Sequence, residues 1–315
     1  MGAVRFTPRF WVALGFIVIV LLIGLVGPLL VTTSPDAVIG GLYDKPQGFG
    51  AKMLGTDNEG QSVLSNLVNG TRTSLLVGLI AGTIATAIGL IIGIVAGYVG
   101  GLVEDVLMGI TNVAIAIPSI VVVILLSVAL PNRGILILGI VIGITSWPWT
   151  ARAVRAQATS VRTREHIDVA RISGASLPSI LFRDVLPYLL SYVVMAFVLQ
   201  MSSAILTEAA LSMLGLGPSG VVSLGVMLHW ALVWGSVRVG AYWAFLPPTL
   251  MLTMIAFSLL LLQSSLDEVF NPRLRRGRIR IGRRTPTVTA GGGVIAEGPS
   301  ATQIAPETET VGGRA

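Results

Sequence analysis

Six long apolar segments dominate this sequence, and each is long enough to cross a membrane as a helix. A bilayer-spanning helix needs about 20 predominantly apolar residues. The segments lie at about 11–31, 74–99, 106–130, 134–151, 188–214 and 243–265. We therefore expect an all-α integral membrane protein with six transmembrane helices.

The composition also indicates a membrane protein. Hydrophobic residues make up 53% of the chain and charged residues only 11%, whereas an ordinary soluble domain has about 25% charged residues. The first apolar segment follows Arg5 and Arg9, as the core of a secretory signal peptide would. It is longer than such a core, however, and no A-x-A-like cleavage site follows it. We interpret it as a retained membrane anchor.

Charge and rare residues exclude other classes of protein. The net charge of +6 does not indicate nucleic-acid binding, because the arginines flank apolar spans and are not interleaved with stacking aromatic residues. The sequence contains no cysteine, which excludes disulfides and cysteine-ligated zinc. The two histidines, His166 and His229, are far apart in the sequence, and no carboxylate cluster completes a metal site.

The arginines lie mostly on one side of the six-span arrangement. Two precede the first span, six lie between the fourth and fifth spans, and seven closely follow the sixth. These are Arg5, Arg9, Arg152, Arg155, Arg162, Arg164, Arg171, Arg183, Arg273, Arg275, Arg276, Arg278, Arg280, Arg283 and Arg284. The other side has Lys45, Lys52, Arg72, Arg133 and Arg238. Because positively charged loops face the cytoplasm, we expect both termini to be cytoplasmic.

The sequence divides into three regions. Residues 1–73 contain the first span and an external segment, and apolar spacing from Glu59 to Arg72 predicts a short amphipathic helix at the outer surface. That helix either covers the rim of the bundle or gates the substrate. Residues 74–270 contain the other five spans. We expect residues 271–315 to form a basic and then disordered cytoplasmic tail, whose basic part is suited to anionic membrane lipid.

The cytoplasmic loop at about 152–187 has a pattern of its own. It predicts two short helices, the second ending before Pro187, with a turn at Gly174. Because Ala170, Gly174 and Ala175 are small, the surface of a partner could approach closely here. We expect this loop to dock into a groove on another protein.

This loop resembles the EAA loop of binding-protein-dependent ABC importers, whose pattern is E-A-A-x3-G-x9-I-x-L-P. The matching positions, without a gap in the spacing, are Asp168, Val169, Ala170, Gly174, Leu186 and Pro187. The departures are Asp168 for Glu, Val169 for Ala and Asp184 for Ile. The residues to which the resemblance gives a role in ATPase coupling are Asp168, Val169, Ala170, Arg171, Gly174, Ala175, Leu186 and Pro187.

Further stretches between about residues 50 and 276 resemble the second, C-type permease subunit of the dipeptide, oligopeptide and nickel subfamily. They include Leu54-Gly55-Thr56-Asp57, Thr73-Ser74-Leu75, Trp147-Pro148, Glu208-Ala209-Ala210-Leu211-Ser212, Leu214-Gly215-Leu216-Gly217 and Asn271-Pro272-Arg273. The resemblance implies the type I ABC importer fold in a prokaryotic plasma (inner) membrane. It also implies alternating-access import of a small solute, most often a di- or oligopeptide.

The resemblance further implies four partner chains: a homologous second permease subunit, two ATP-binding cassette ATPase subunits and an extracytoplasmic substrate-binding protein. The sequence itself lacks an ATP site. A phosphate-binding loop needs a glycine-rich turn with a lysine at a helix start, and the two lysines, Lys45 and Lys52, both lie in the external segment. We expect no enzymatic activity and no bound cofactor, with ATP and magnesium on the ATPase subunits.

Two polar residues within the spans, Glu208 and Asn112, are candidates for the translocation path or its gate. A carboxylate within a span is costly unless it is paired or hydrated, so Glu208 either contacts the path or pairs with a helix end or Arg238. Asn112 and Pro118 could instead serve packing and a kink. Glycines at 78, 82, 89, 93 and 97 permit close helix approach, either to a second permease subunit or within the chain.

Two other functions are weighed against transport by an ABC permease. An ion-coupled secondary transporter predicts several ionisable residues deep in the spans and an internal repeat, and a membrane enzyme predicts a clustered acid/base or metal site; the sequence shows neither. Among cargoes, peptide is favoured. Oligosaccharide is the next alternative, because Trp243 and Pro247-Pro248 resemble a branch that includes oligosaccharide importers, and nickel is the third.

Overall fold

The structure is a computed structural model that describes residues 8–270, with side chains to residue 267. These residues lie in one compact unit. The described helices are α1 (Pro8–Leu25), α2 (Gly27–Leu30), α3 (Val63–Val99), α4 (Gly101–Ala116), α5 (Ser119–Ala129), α6 (Ile135–Arg162), α7 (Glu165–Ile172), α8 (Leu177–Ser179), α9 (Leu186–Met213), α10 (Leu224–Val233) and α11 (Tyr242–Phe270). A π-helical turn, Ile180–Val185, joins α8 to α9. The all-α prediction is confirmed for this range, and the tail predicted at 271–315 lies outside the described residues.

Among the described residues, five helical stretches are long and apolar enough to cross a membrane. They are Pro8–Leu30, Val63–Val99, Ile135–Arg162, Leu177–Met213 and Tyr242–Asp267. Helices α4 and α5 pass the same test only as a pair, because they are bent by 77° at a short break. The six predicted spans are therefore present if this bent pair is counted as one.

The break between α4 and α5 has a clear chemical cause. Ile117 is extended, with φ −87° and ψ 123°, and Pro118 follows it. A proline disfavours the helical conformation of the residue before it and has no N–H to donate. The single helix predicted at 106–130 is thus two helices, and the kink expected at Pro118 is a sharp break.

Helix α3 is the centre of the bundle, packed against α6 along one face and α9 along another. Gly89, Gly93 and Gly97 are four residues apart and share a face. A Cβ atom on any of the three would lie 2.6 Å from an atom of α6, namely Thr150 Cβ, Ala151 O or Arg155 O respectively. A Cβ on Gly82 would lie 3.0 Å from the Met201 nitrogen of α9. The glycines therefore serve packing within the chain, and not the contact with a second permease subunit.

The two ends of the bundle differ. At one end, here called the loop end, α7 and the π-helical turn share a hydrophobic core with the last turns of α3 and of α6. At the other, here called the α10 end, α10 and the segment 32–62 surround the first turns of α3. Hydrogen bonds there include Trp243 Nε1 to Thr56 O, 3.0 Å, and Ser65 Oγ to Thr33 O, 2.6 Å.

The amphipathic helix predicted from Glu59 to Arg72 is the beginning of α3. Ser62 caps α3 by accepting a hydrogen bond from the Ser65 N–H at 3.1 Å, as N-cap serines commonly do. Val63 is fully buried and Leu67 is nearly so. This segment therefore does not lie along the surface, because its apolar face packs inside the bundle.

Candidate functional site

The short helix α7 is fixed to the bundle by one buried side chain. Ile167 is 0% exposed and packs in the core formed with Val154 and Ala158 of α6, and with Ile180 and Val185 of the π-helical turn. A helix of eight residues is not stable alone in water. The position of α7 is therefore set by α3, α6 and the start of α9.

The opposite face of α7 has two exposed aliphatic side chains. Val169 and Ile172 are 63% and 87% exposed, and their spacing of three residues places them side by side on the helix surface. Two adjacent aliphatic side chains, mounted on a fixed helix, make a compact surface for a partner protein. We call this pair the α7 patch.

The end of α7 explains the glycine of the EAA-like pattern. Gly174 has φ +75°, its N–H donates to Arg171 O at 3.1 Å, and the Ala175 N–H donates to Ala170 O at 3.2 Å. These two bonds form a Schellman motif, in which the left-handed position favours glycine. The glycine therefore ends α7 and turns the chain toward α8, as predicted.

The charged residues of α7 lie between the patch and the core. Asp168 and Arg171 form an i,i+3 ion pair at 3.4 Å, with both side chains more than half exposed, so its contribution to stability is small. Arg171 also donates to Tyr98 Oη of α3 at 3.4 Å. This hydrogen bond raises the pKa of Arg171 above its usual value and tethers α7 to α3.

Two details of the predicted coupling loop are wrong. The small side chains of Ala170 and Ala175 are half-buried and pack against the core, so the exposed surface for a partner is formed mainly by other residues. The second helix does not end before Pro187, because α8, the π-helical turn and α9 form a continuous helical path. Leu186 begins α9, and Pro187 lies in its first turn directly after the π-helical turn. Proline has no N–H to donate to the preceding turn, so the regular hydrogen-bond pattern is interrupted there.

Glu208 is completely buried in α9 and is surrounded by hydroxyl groups. Ser223 and Ser212 donate to its Oε1 at 2.6 Å and 2.7 Å, and Ser74 of α3 donates to its Oε2 at 2.9 Å. These three donors provide the pairing that a carboxylate needs inside a membrane protein. The alternative pairing with Arg238 is not what the structure shows.

The same hydroxyls hold the beginning of α10. Ser223 caps α10 by accepting from the Val226 N–H at 3.1 Å, and Ser74 Oγ accepts from the Leu224 N–H at 3.3 Å. Glu208 therefore ties α3, α9 and α10 together. Sequence reasoning missed these serines as its partners, although Ser74 and Ser212 lie in stretches that carried the family resemblance.

Asn112 has a different environment. Its Oδ1 accepts from Arg152 Nη2 of α6 at 2.7 Å, and Glu104 in the first turn of α4 forms an ion pair with Arg155 of α6. Both contacts hold α4 against α6. Asn112 and Glu208 have separate partners and do not form one site. No pattern in the sequence had predicted a role for Glu104.

Among solved structures, the fold is similar to a chain of the MetNI methionine ABC transporter in inward-facing conformations. The TM-score is 0.51 at 19% sequence identity, over 65% of this chain and 94% of that one. That likeness supports the type I permease fold, in agreement with the sequence resemblance.

Sequence comparisons establish the family. The chain is 35% identical, over 82% of its length and 86% of the relative's, to a probable peptide ABC transporter permease protein of Sinorhizobium fredii. It is 32% identical to the dipeptide transport system permease protein DppC of Bacillus subtilis, over 71% of this chain and 69% of DppC. Residues 89–276 match the model of the binding-protein-dependent transport system inner membrane component. The chain belongs to that family, the multi-pass membrane permease subunits of ABC importers.

Proposed function

We propose that this chain is one of two permease subunits of an ABC importer for di- or oligopeptides. The loop end lies in the cytoplasm, where α7 receives an ATPase subunit. The α10 end faces the substrate-binding protein outside. ATP is bound and hydrolysed on the ATPase chains and not on this one.

The observation that carries this proposal is the exposed α7 patch on a helix that is anchored in the core through its other face. Val169 and Ile172 are exposed on a helix whose other face, through Ile167, packs in a core shared with α3, α6 and the start of α9. Force applied to the patch therefore passes to three long helices at once. Because packed cores transmit displacement and do not deform continuously, closure of the ATPases moves the bundle as a body.

The proposed cargo rests on the relatives. The Sinorhizobium protein is named as a probable peptide permease and the Bacillus protein as a dipeptide permease. At 35% and 32% identity over most of the chain, we extend the same cargo class to this protein. Oligosaccharide and nickel are the alternative cargoes that an experiment must include.

Reconstitution of the complete importer tests the function. The chain is assembled in proteoliposomes with the permease, ATPase and binding proteins encoded beside it, and uptake of a labelled tripeptide, a trisaccharide and Ni²⁺ is measured. We expect tripeptide uptake that requires ATP. Uptake driven by an ion gradient without ATP would instead support a secondary transporter. ATP-dependent uptake of the trisaccharide or Ni²⁺ but not of the tripeptide would show that the cargo is not a peptide.

A double substitution tests the docking role of the α7 patch. Val169→Glu with Ile172→Glu places two charges on the patch without touching the buried core. We expect normal membrane levels but loss of ATPase copurification and of uptake. The matched control is Val239→Glu, at a valine of the α10 end that is 63% exposed, which should leave copurification unchanged. Intact copurification in the double variant would contradict the docking role.

A further inference from the structure

A cavity of about 460 Å³ opens at the α10 end, between the segment 32–62, the start of α3, the loop before α10 and α10 itself. Its charged lining residues are Asp36, Asp57, Glu59 and Arg133. Three carboxylates against one guanidinium give the cavity a negative balance. Within the described residues none of these four side chains is in an ion pair.

A buried amide in the cavity lining has an unused acceptor. Asn66 of α3 is 3% exposed, and its Nδ2 donates to Asp57 Oδ2 at 2.9 Å and to Gln61 Oε1 at 3.2 Å. Since both partners are acceptors, they fix the orientation of the amide. The Asn66 Oδ1 atom is left without a hydrogen-bond partner, which is unfavourable for a buried carbonyl oxygen and indicates a missing donor.

The free groups of this cavity share one requirement. Asn66 Oδ1 needs a donor, and the exposed carboxylates of Asp36 and Glu59 favour positive charge. One oxygen of Glu59 accepts from Gln61 Nε2 at 2.8 Å, and the other has no hydrogen-bond partner among the described residues. Asp57 is different, because it already accepts from the backbone N–H groups of Glu59 and Gln61 at 3.0 Å and 2.9 Å and serves mainly to shape the turn. A ligand with several N–H donors and a positive charge, that is, an ammonium group, satisfies these groups together.

The remaining lining suits the body of an amino acid residue. Val226, Met227 and Trp230 of α10 provide an apolar wall. The Nδ2 atom of Asn58, also in the lining, is buried without a partner and can donate to a carbonyl oxygen. An ammonium group, a side chain and a carbonyl oxygen are the three parts of the first residue of a peptide.

We infer that this cavity binds the amino-terminal residue of the cargo peptide, with Asp36 and Glu59 facing its ammonium group. This inference rests on the proposed peptide cargo and adds a recognition site on the permease itself. The site lies at the end of the bundle proposed to receive cargo from the binding protein. It requires a free amino terminus, which neither an N-acetylated peptide nor a neutral sugar has.

Peptide binding to the full-length chain tests the inference in the absence of the binding protein. The chain is placed in lipid nanodiscs, and saturation-transfer NMR compares trialanine with N-acetyl-trialanine. We expect trialanine to bind. The acetylated peptide should bind at least about fivefold more weakly, which is the loss expected for one partly exposed charge pair. The double variant Asp36→Asn, Glu59→Gln should weaken trialanine binding to the same extent. The control Asp44→Asn removes a carboxylate at the same end but outside the cavity, and should have no effect.

Several outcomes would overturn the inference while leaving the proposed function intact. The inference is wrong if both peptides bind equally, if trialanine does not bind at millimolar concentration, or if the double variant has no effect. The proposed function stands in each case if the complete importer still takes up peptides. A lysine of the binding protein is the other source of an ammonium group. If the double variant weakens docking of the binding protein but not binding of trialanine, the cavity serves that lysine and not the cargo.

Discussion

At the scale of single residues, Gly174 is the position whose role the structure defines best. A Cβ atom there would meet nothing within 4 Å, so the chain itself does not need the space. The requirement is the backbone, with φ +75°, which costs a residue with a Cβ about 1–2 kcal/mol. The turn alone is therefore sufficient to explain this glycine.

Replacing Gly174 should impair coupling without unfolding the protein. Gly174→Val strains the Schellman turn and shifts the end of α7, so we expect normal membrane levels with reduced ATPase copurification and uptake. Gly174→Asn is the matched control, because asparagine tolerates the left-handed conformation, and it should retain most activity. Full uptake by the valine variant would exclude a coupling role for the turn, and its loss from the membrane would indicate a folding role.

Glu208 is the residue whose loss should cost the most stability. Glu208→Leu leaves three buried hydroxyls without their acceptor, and a buried polar group left unpaired costs about 1–3 kcal/mol. We expect a lower melting temperature of the purified protein in detergent. Glu208→Gln keeps one acceptor oxygen and should be milder, while Thr207→Val changes its half-buried neighbour and should have little effect. An unchanged melting temperature for the leucine variant would contradict the structural role.

At the scale of elements, the contact of α3 with α6 depends on glycines. Gly93→Leu would place a side chain where even a Cβ lies 2.6 Å from Ala151 O, and overpacking costs about 1–3 kcal/mol. We expect aggregation or low yield in size-exclusion chromatography. Gly109→Leu is a matched control in α4, because a Cβ there meets nothing within 4 Å. Equal yields from both variants would show that α3 and α6 do not approach this closely.

The elements also show what the sequence could and could not predict. The turn at Gly174 follows from local backbone chemistry and was predicted. At Pro118 only a kink was expected, and the structure has a break with a bend of 77°. The partners of Glu208 were not, because Ser74 lies 134 residues away in the chain and nothing local connects the two. The same limit applies to Ala170 and Ala175, whose direction depends on how α7 packs against other helices.

At the scale of the whole molecule, α3 connects the two functional ends. Its 37 residues correspond to a length of about 55 Å, well beyond the hydrocarbon core of about 30 Å. Near its start, Asn66 lines the cavity and Ser74 binds Glu208; near its end, Tyr98 binds Arg171 of α7. A displacement of α7 is thus applied to the same rigid helix that lines the proposed cargo site.

The orientation of the molecule is the prediction on which this mechanism depends. Arginines from 152 to 183 surround α7, and positively charged loops remain in the cytoplasm, so the loop end should be inside and residues 32–62 outside. Because the native chain has no cysteine, Gln47→Cys and Thr163→Cys, both at exposed positions, report the two ends separately. We expect an impermeant maleimide to label position 47 in intact cells and position 163 only after permeabilisation. Labelling of both from the same side would exclude this topology, and with it a cytoplasmic ATPase bound to α7 opposite an external cargo site.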